Sequence, residues 1–252
     1  MFLRRENCFD RSMTRGLRHS LSALTVAVLL AAHVGAAGPT GASPLLQRFL
    51  AVDDPTPTQF RALRHLEARN EKFDKRAWMD VWTEVDASGF HYEIVGEDGS
   101  DTIRSKVFRA ALDLERNMWA AGEPDGGALT PDNYVFEERG AQPDGLASLV
   151  VKPRRKGLLM IDGSIFLNPD DGELVRIEGQ LTKTPSFWTR RIEIVRWYQR
   201  IGGVRMPTAL ETVAMVRIAG PSTFRMTYEY ESINGQKVGN PQPRTLARAG
   251  LY

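Results

Sequence analysis

A chain of 252 residues, 42% hydrophobic and 25% charged, has the make-up of a globular protein and not of a disordered or fibrous one. Its formal net charge is +2, but the first 37 residues hold five of the 33 Lys and Arg (Arg4, Arg5, Arg11, Arg15, Arg18) and two of the 31 Asp and Glu (Glu6, Asp10), so the remainder carries −1. A near-neutral body offers no electrostatic footprint for nucleic acid or an anionic membrane, which argues against both as main partners.

The amino-terminal segment has a character of its own. Arg15 and Arg18 precede an apolar run at 21–32, LSALTVAVLLAA, and the small residues Gly35, Ala36 and Ala37 follow. A basic region, an apolar core of about a dozen residues and an A-x-A-like site predict a secretory signal peptide over 1–37, cleaved near Ala36 or Ala37. A membrane span needs about 20 apolar residues, so an uncleaved anchor is the lesser alternative and no span is expected in the mature chain. Met13 is a better start for such a signal than Met1. The only cysteine, Cys8, leaves with it. The mature chain is thus predicted to be periplasmic or secreted, without disulfide, thiol nucleophile, Cys-based metal site or lipid-attachment cysteine.

Residues 38–58 read as a Gly/Pro/Ser linker with a short helix at 44–50 that would set Leu46, Phe49 and Leu50 against a sheet. The stretch 60–68 is ambiguous between helix and strand. Residues 77–85 alternate: Trp78, Asp80, Trp82 and Glu84 fall on one face, and Ala77, Met79, Val81, Thr83 and Val85 on the other. Ser88 and Gly89 turn the chain into a second strand at 90–95. Then comes the clearest helix, TIRSKVFRAALDLERNMW, which Ser100 or Asp101 can cap and which Gly122 and Pro124 end. Its apolar stripe is Ile103, Val107, Ala110 or Ala111, Leu114 and Met118.

Strands resume at 134–137 and 146–151 and lead into a long meander over 157–207. Three runs rich in Ile, Leu, Val and aromatics are separated there by Asn168-Pro169-Asp170-Asp171-Gly172, Thr184-Pro185-Ser186 and Gly202-Gly203. Such residues fix or free φ where a chain reverses, so antiparallel strands are expected. Two more strands are predicted at 209–218 and 223–233, and a turn-rich, flexible tail at 234–252. Nine or ten strands joined by short turns, with one long helix on a face, make a mostly β α+β protein with a single domain over 59–233.

The pattern Leu174-x-Arg176-Ile-Glu-Gly179-x-Leu181-x-Lys183-x-Pro185-Ser-Phe-Trp188-Thr-Arg190, with Tyr198 and Met206-Pro207, resembles a group of secreted bacterial proteins. The order of signal, hairpin, helix and long meander is similar to the LolA-like group, relatives of the outer-membrane lipoprotein-sorting protein. That resemblance implies a curved antiparallel sheet, an incomplete barrel, with one long helix and short helices on its concave side around an apolar cavity. It further implies a non-catalytic binding protein for a lipid, lipoprotein or other apolar ligand. The alternatives are an envelope interaction or structural module without a cavity, and an atypical hydrolase.

Among side chains, Phe166, Phe187, Trp188, Trp197 and Tyr198 are candidates to line an apolar pocket, with core packing as the plainer reading. Arg190 and Arg196, within the cluster that includes Arg191, Arg200 and Arg205, are candidates for an anionic head group, with a solvated sheet face as the alternative. Lys152, Arg154, Arg155 and Lys156 read as a basic hairpin tip. His65 and His91 could pair with Asp80, Glu84 or Glu93, but no spacing typical of metal ligands supports a metal. Ser164 and Ser186 lack a nucleophile elbow. No catalytic residue, cofactor or metal is expected.

Overall fold

The computed structural model describes residues 43–52, 56–122, 126–184, 187 and 189–243; the predicted signal peptide, Trp188 and the end of the tail lie outside them. Eleven strands form one antiparallel sheet: β1 (Phe60–Asn70), β2 (Lys75–Asp86), β3 (Gly89–Gly99), β4 (Tyr134–Ala141), β5 (Ala147–Pro153), β6 (Ile161–Leu167), β7 (Leu174–Leu181), β8 (Thr189–Ile201), β9 (Val204–Val216), β10 (Gly220–Ile233) and β11 (Gln236–Lys237). The order is β3-β2-β1-β10-β9-β8-β7-β6-β5-β4, with β11 on β10. Two meanders, β1–β3 and β4–β10, are therefore joined by one long-range pairing, β1 with β10. The ambiguous stretch at 60–68 is a strand because it pairs on both sides, with β10 and β2.

The edges β3 and β4 do not pair, so the barrel stays open. The chain crosses between those edges through α2, which comprises Asp101–Ile103, a widened π-type segment Arg104–Arg109, and Ala110–Ala120. A second, short helix, α1 (Pro44–Ala51), starts with Ser43 accepting from the Leu46 N–H. The sheet's inner face collects the core. Ala77, Met79, Val81 and Val85 of β2 are buried, as are Leu149 and Val151 of β5, Ile161, Ile165 and Leu167 of β6, and Ile192 and Ile194 of β8. Strand alternation sends their neighbours outward. The hairpin reading of β2–β3 holds residue by residue, with Val85 opposite Phe90 and Thr83 opposite Tyr92.

Two glycines face each other at one cross-strand pair. Gly163 of β6 faces Gly179 of β7. A Cβ on Gly163 would lie 2.0 Å from the Glu178 carbonyl oxygen, and one on Gly179 would lie 2.4 Å from that of Asp162. Neither position has room for a side chain, and glycine in a strand marks such close approach of a neighbouring backbone. At the β8–β9 turn, Gly202 and Gly203 have φ of +58° and +81°, the paired left-handed geometry of a tight hairpin.

Three local expectations change. In α1 the buried residues are Leu45 and Phe49, one helical turn apart, while Leu50 is exposed. In the tail, Gln236 and Lys237 form β11 against Ser232 and Ile233 of β10. The largest change is in α2. Its buried residues are Ile103, Phe108 and Leu112, spaced five and then four apart. The π-type segment widens the turn by one residue, so the inward face is not the one that a uniform 3.6-residue period selects. Val107 and Leu114 of the expected stripe are consequently 38% and 36% exposed.

Candidate functional site

The displaced stripe lines a groove. Ile103, Val107, Ala110, Ala111 and Leu114 of α2 face Ile192 of β8, Ala214 and Val216 of β9 and Phe224 of β10 across a space of about 470 Å³. Polar contributions are few, chiefly Asn70, Lys106 and the threonines Thr189, Thr212 and Thr223. The size and the apolar walls are those of a small-molecule site. Phe108 and Leu112, fully buried behind the groove, anchor the helix to the sheet; Phe108 meets Phe224 at 6.0 Å between ring centroids. That anchoring leaves the other stripe uncovered.

Beyond the groove the concave face turns polar. Arg64 of β1, only 2% exposed, donates to both carboxylate oxygens of Glu115 on α2, at 2.6 and 2.9 Å. Its guanidinium also lies 4.8 Å from the Tyr228 ring centre and 5.4 Å from that of Phe90. Burial disfavours this cation, but the Glu115 carboxylate and its hydrogen bonds outweigh that cost and raise the pKa. Desolvation raises the phenols of Tyr228 and Tyr230 as well, so both stay protonated.

A second cavity, about 450 Å³, opens over β6–β9 beneath Thr56, Pro57 and the loop 127–129. Leu129, Leu159, Ile161, Leu174 and Ile177 form its apolar walls; Arg196, Arg205, Tyr134 and Tyr198 supply its polar groups. Tyr134 accepts a hydrogen bond from the Ile161 N–H through its phenol oxygen, leaving its own proton free to donate. Burial raises its pKa. Groove and cavity share no lining residue.

Of the residues singled out in the sequence, the fold brings Arg196 and Tyr198 together in this cavity. Phe166 and Trp197 point to the outer face instead, on either side of Arg176, which pairs with both in register; the Arg176 guanidinium sits 4.2 Å from the Phe166 ring centre. Phe187 is 74% exposed under Arg217, and Arg190 is exposed beside a register shift at the start of β8. Trp188 lies outside the described residues. Sequence reading missed the whole groove, since its helix wall depends on the widened turn, and missed Arg64–Glu115, whose partners are distant in the chain.

The outer face carries larger but more open depressions of about 820 and 740 Å³, where both charge signs mix: Asp162, Glu178 and Glu193 beside Arg139 and Arg191 in one, Glu67, Asp98 and Glu211 beside Arg69 and Arg225 in the other. Next to the second, His65 bonds through Nδ1 to the buried Asp80 and through Nε2 to Glu67 at 2.8 Å, with Trp78 stacked on its ring. Both imidazole nitrogens are thereby committed. His91, 56% exposed at its side chain, pairs with Asp86 and Ser88 at the β2–β3 turn. Among the described residues no group of three or more His, Cys, Asp or Glu is placed to hold a metal ion.

Comparison with known proteins finds no matching family model and no matching curated protein. Among solved structures, the chain is similar to a putative outer membrane lipoprotein-sorting protein domain from Vibrio parahaemolyticus, with 9% identity, TM-score 0.37, and 82% of this chain and 94% of that one covered. A LolA superfamily protein from Nitrosomonas europaea matches at 8% identity and TM-score 0.33, covering 80% and 94%. A DUF1329 family protein from Desulfovibrio piger matches at 12% and 0.31, covering 73% and 88%. At these identities and TM-scores the matches assign neither a family nor a ligand. Among the described residues no helix is long and apolar enough to cross a membrane.

Proposed function

We propose that this protein is a non-catalytic binding protein, exported by the segment at 1–37, that holds an apolar ligand such as a lipid acyl chain on the concave side of its open barrel. The observation that carries this reading is the groove between α2 and β8–β10. A helix that buries Phe108 and Leu112 yet leaves Val107 and Leu114 facing an apolar, solvent-open space exposes surface at a free-energy cost of about 25 cal/mol per Å². Occupation by an apolar ligand removes that cost.

The test is native mass spectrometry of protein from residue 38 onward, purified from a periplasm, with organic extraction and uptake of a neutral fluorescent acyl probe. A co-purifying lipid, or micromolar uptake of the probe, is expected. Ala111→Trp, which fills the groove from the helix side, should weaken uptake at least tenfold while leaving the thermal midpoint near that of the parent. A clean apo mass with no uptake would move the assignment to an envelope interaction module.

A further inference from the structure

The second cavity is built for negative charge. Two guanidinium groups, Arg196 and Arg205, and two phenols, Tyr134 and Tyr198, line it, and no Asp or Glu does so among the described residues. The carboxylates nearby are already committed. Glu115 gives both oxygens to Arg64. Glu173 takes Arg200 on one oxygen, at 2.7 and 3.0 Å, and Arg205 on the other, at 3.0 Å. Three arginines thus share two carboxylates. Arg196, half-buried, has no carboxylate hydrogen-bonded to it: it is bonded to the phenol of Tyr198, feels Glu115 only through space, and its buried Nε has no partner. A carboxylate or phosphate matches the fork of donors that such a guanidinium still offers.

We propose that this cavity is an anion site, in which Arg196, with Tyr198 and the free phenol proton of Tyr134, receives a carboxylate or phosphate oxyanion. The apolar walls of Leu129, Leu159, Leu174 and Ile177 accommodate a short hydrocarbon attached to that group. The site is distinct from the groove, because the two share no lining residue. It therefore stands whether or not the groove holds an acyl chain. Two sources share this chemistry, a free inorganic anion and the charged end of an amphiphile.

Titration calorimetry of the mature protein with inorganic phosphate, octanoate and octanol separates them. Octanoate binding at least tenfold tighter than octanol identifies the end group of an amphiphile; saturable phosphate binding identifies a free anion. In either case Arg196→Gln is expected to weaken the anion at least tenfold, and Ala111→Trp to leave it unchanged. Because loss of a half-buried guanidinium can unsettle packing, Tyr198→Phe, which deletes a single oxygen, is the second variant, with an expected three- to tenfold loss. Absence of saturable binding of both anions overturns the proposal. So does anion binding that neither folded variant weakens. Equal binding of octanol and octanoate, indifferent to Arg196→Gln, overturns the anion site and leaves the apolar-ligand reading in place.

Discussion

Glu115→Ala should lower the unfolding free energy by about 3 kcal/mol, measured by urea denaturation. The substitution leaves Arg64, 2% exposed and held by two hydrogen bonds to that carboxylate, as a buried cation without its counter-charge. Breaking a buried pair from one side costs about 3–5 kcal/mol, and the 29% exposure of the Glu115 side chain places this case at the lower end. The double variant Arg64→Met with Glu115→Leu removes both charges and should recover most of the loss, since an apolar pair of similar volume is about as stable as a buried ion pair. The pair is the polar tie between α2 and β1, so α2 should exchange its amide hydrogens faster in the single variant. A loss below about 1 kcal/mol for Glu115→Ala, or no recovery in the double variant, would show that the tie is held by packing alone.

Gly163→Ala should be as damaging, at about 3 kcal/mol or more. The new methyl would sit 2.0 Å from the Glu178 carbonyl oxygen and 2.6 Å from the Gly179 Cα. Both are backbone atoms of the paired strand, which cannot rotate out of the way as a side chain does. Overpacking against yielding side chains costs about 1–3 kcal/mol, and a backbone obstacle puts this case at or above the top of that range. The β6–β7 ladder, which carries Ile161 and Ile177 of the cavity wall, must open. Gly157→Ala is the control: its nearest obstacle is the flexible Met160 side chain at 3.0 Å, so a change below about 1 kcal/mol is expected. Equal denaturation midpoints for the two variants would mean that the close approach at the glycine pair does not constrain the sheet.

Much of the fold was legible for local reasons. The alternation of 77–85 separates Trp78, Asp80, Trp82 and Glu84 from Ala77, Met79, Val81, Thr83 and Val85, and the structure buries the second set on the inner face. Gly202-Gly203 and Asn168–Gly172 mark real reversals, because few residue types tolerate the backbone angles that a tight turn demands. Helix α2 was legible in extent but not in phase. Its widened turn at Arg104–Arg109 follows no periodic signal, so the stripe read as buried became the groove's wall.

For the candidate sites the sequence was less informative. Arg190, Arg196 and Arg200 look alike in one arginine-rich strand, and alternation alone does not say which face is enclosed. The answer came from pairings between distant segments: β1 on β10, Tyr134 of β4 reaching Ile161, and Glu115 of α2 reaching across to Arg64. The same holds for His65, whose two carboxylates stand on its own strand and the next.

By itself the sequence determined most of the strands, the turns, the antiparallel class and the one long helix, because periodicity and turn chemistry act over a few residues. Only the tertiary structure decided that 60–68 is a strand, which face is concave, which helix stripe stays uncovered and which arginine has no carboxylate hydrogen-bonded to it. Those depend on the closure of long loops, which a local pattern does not encode.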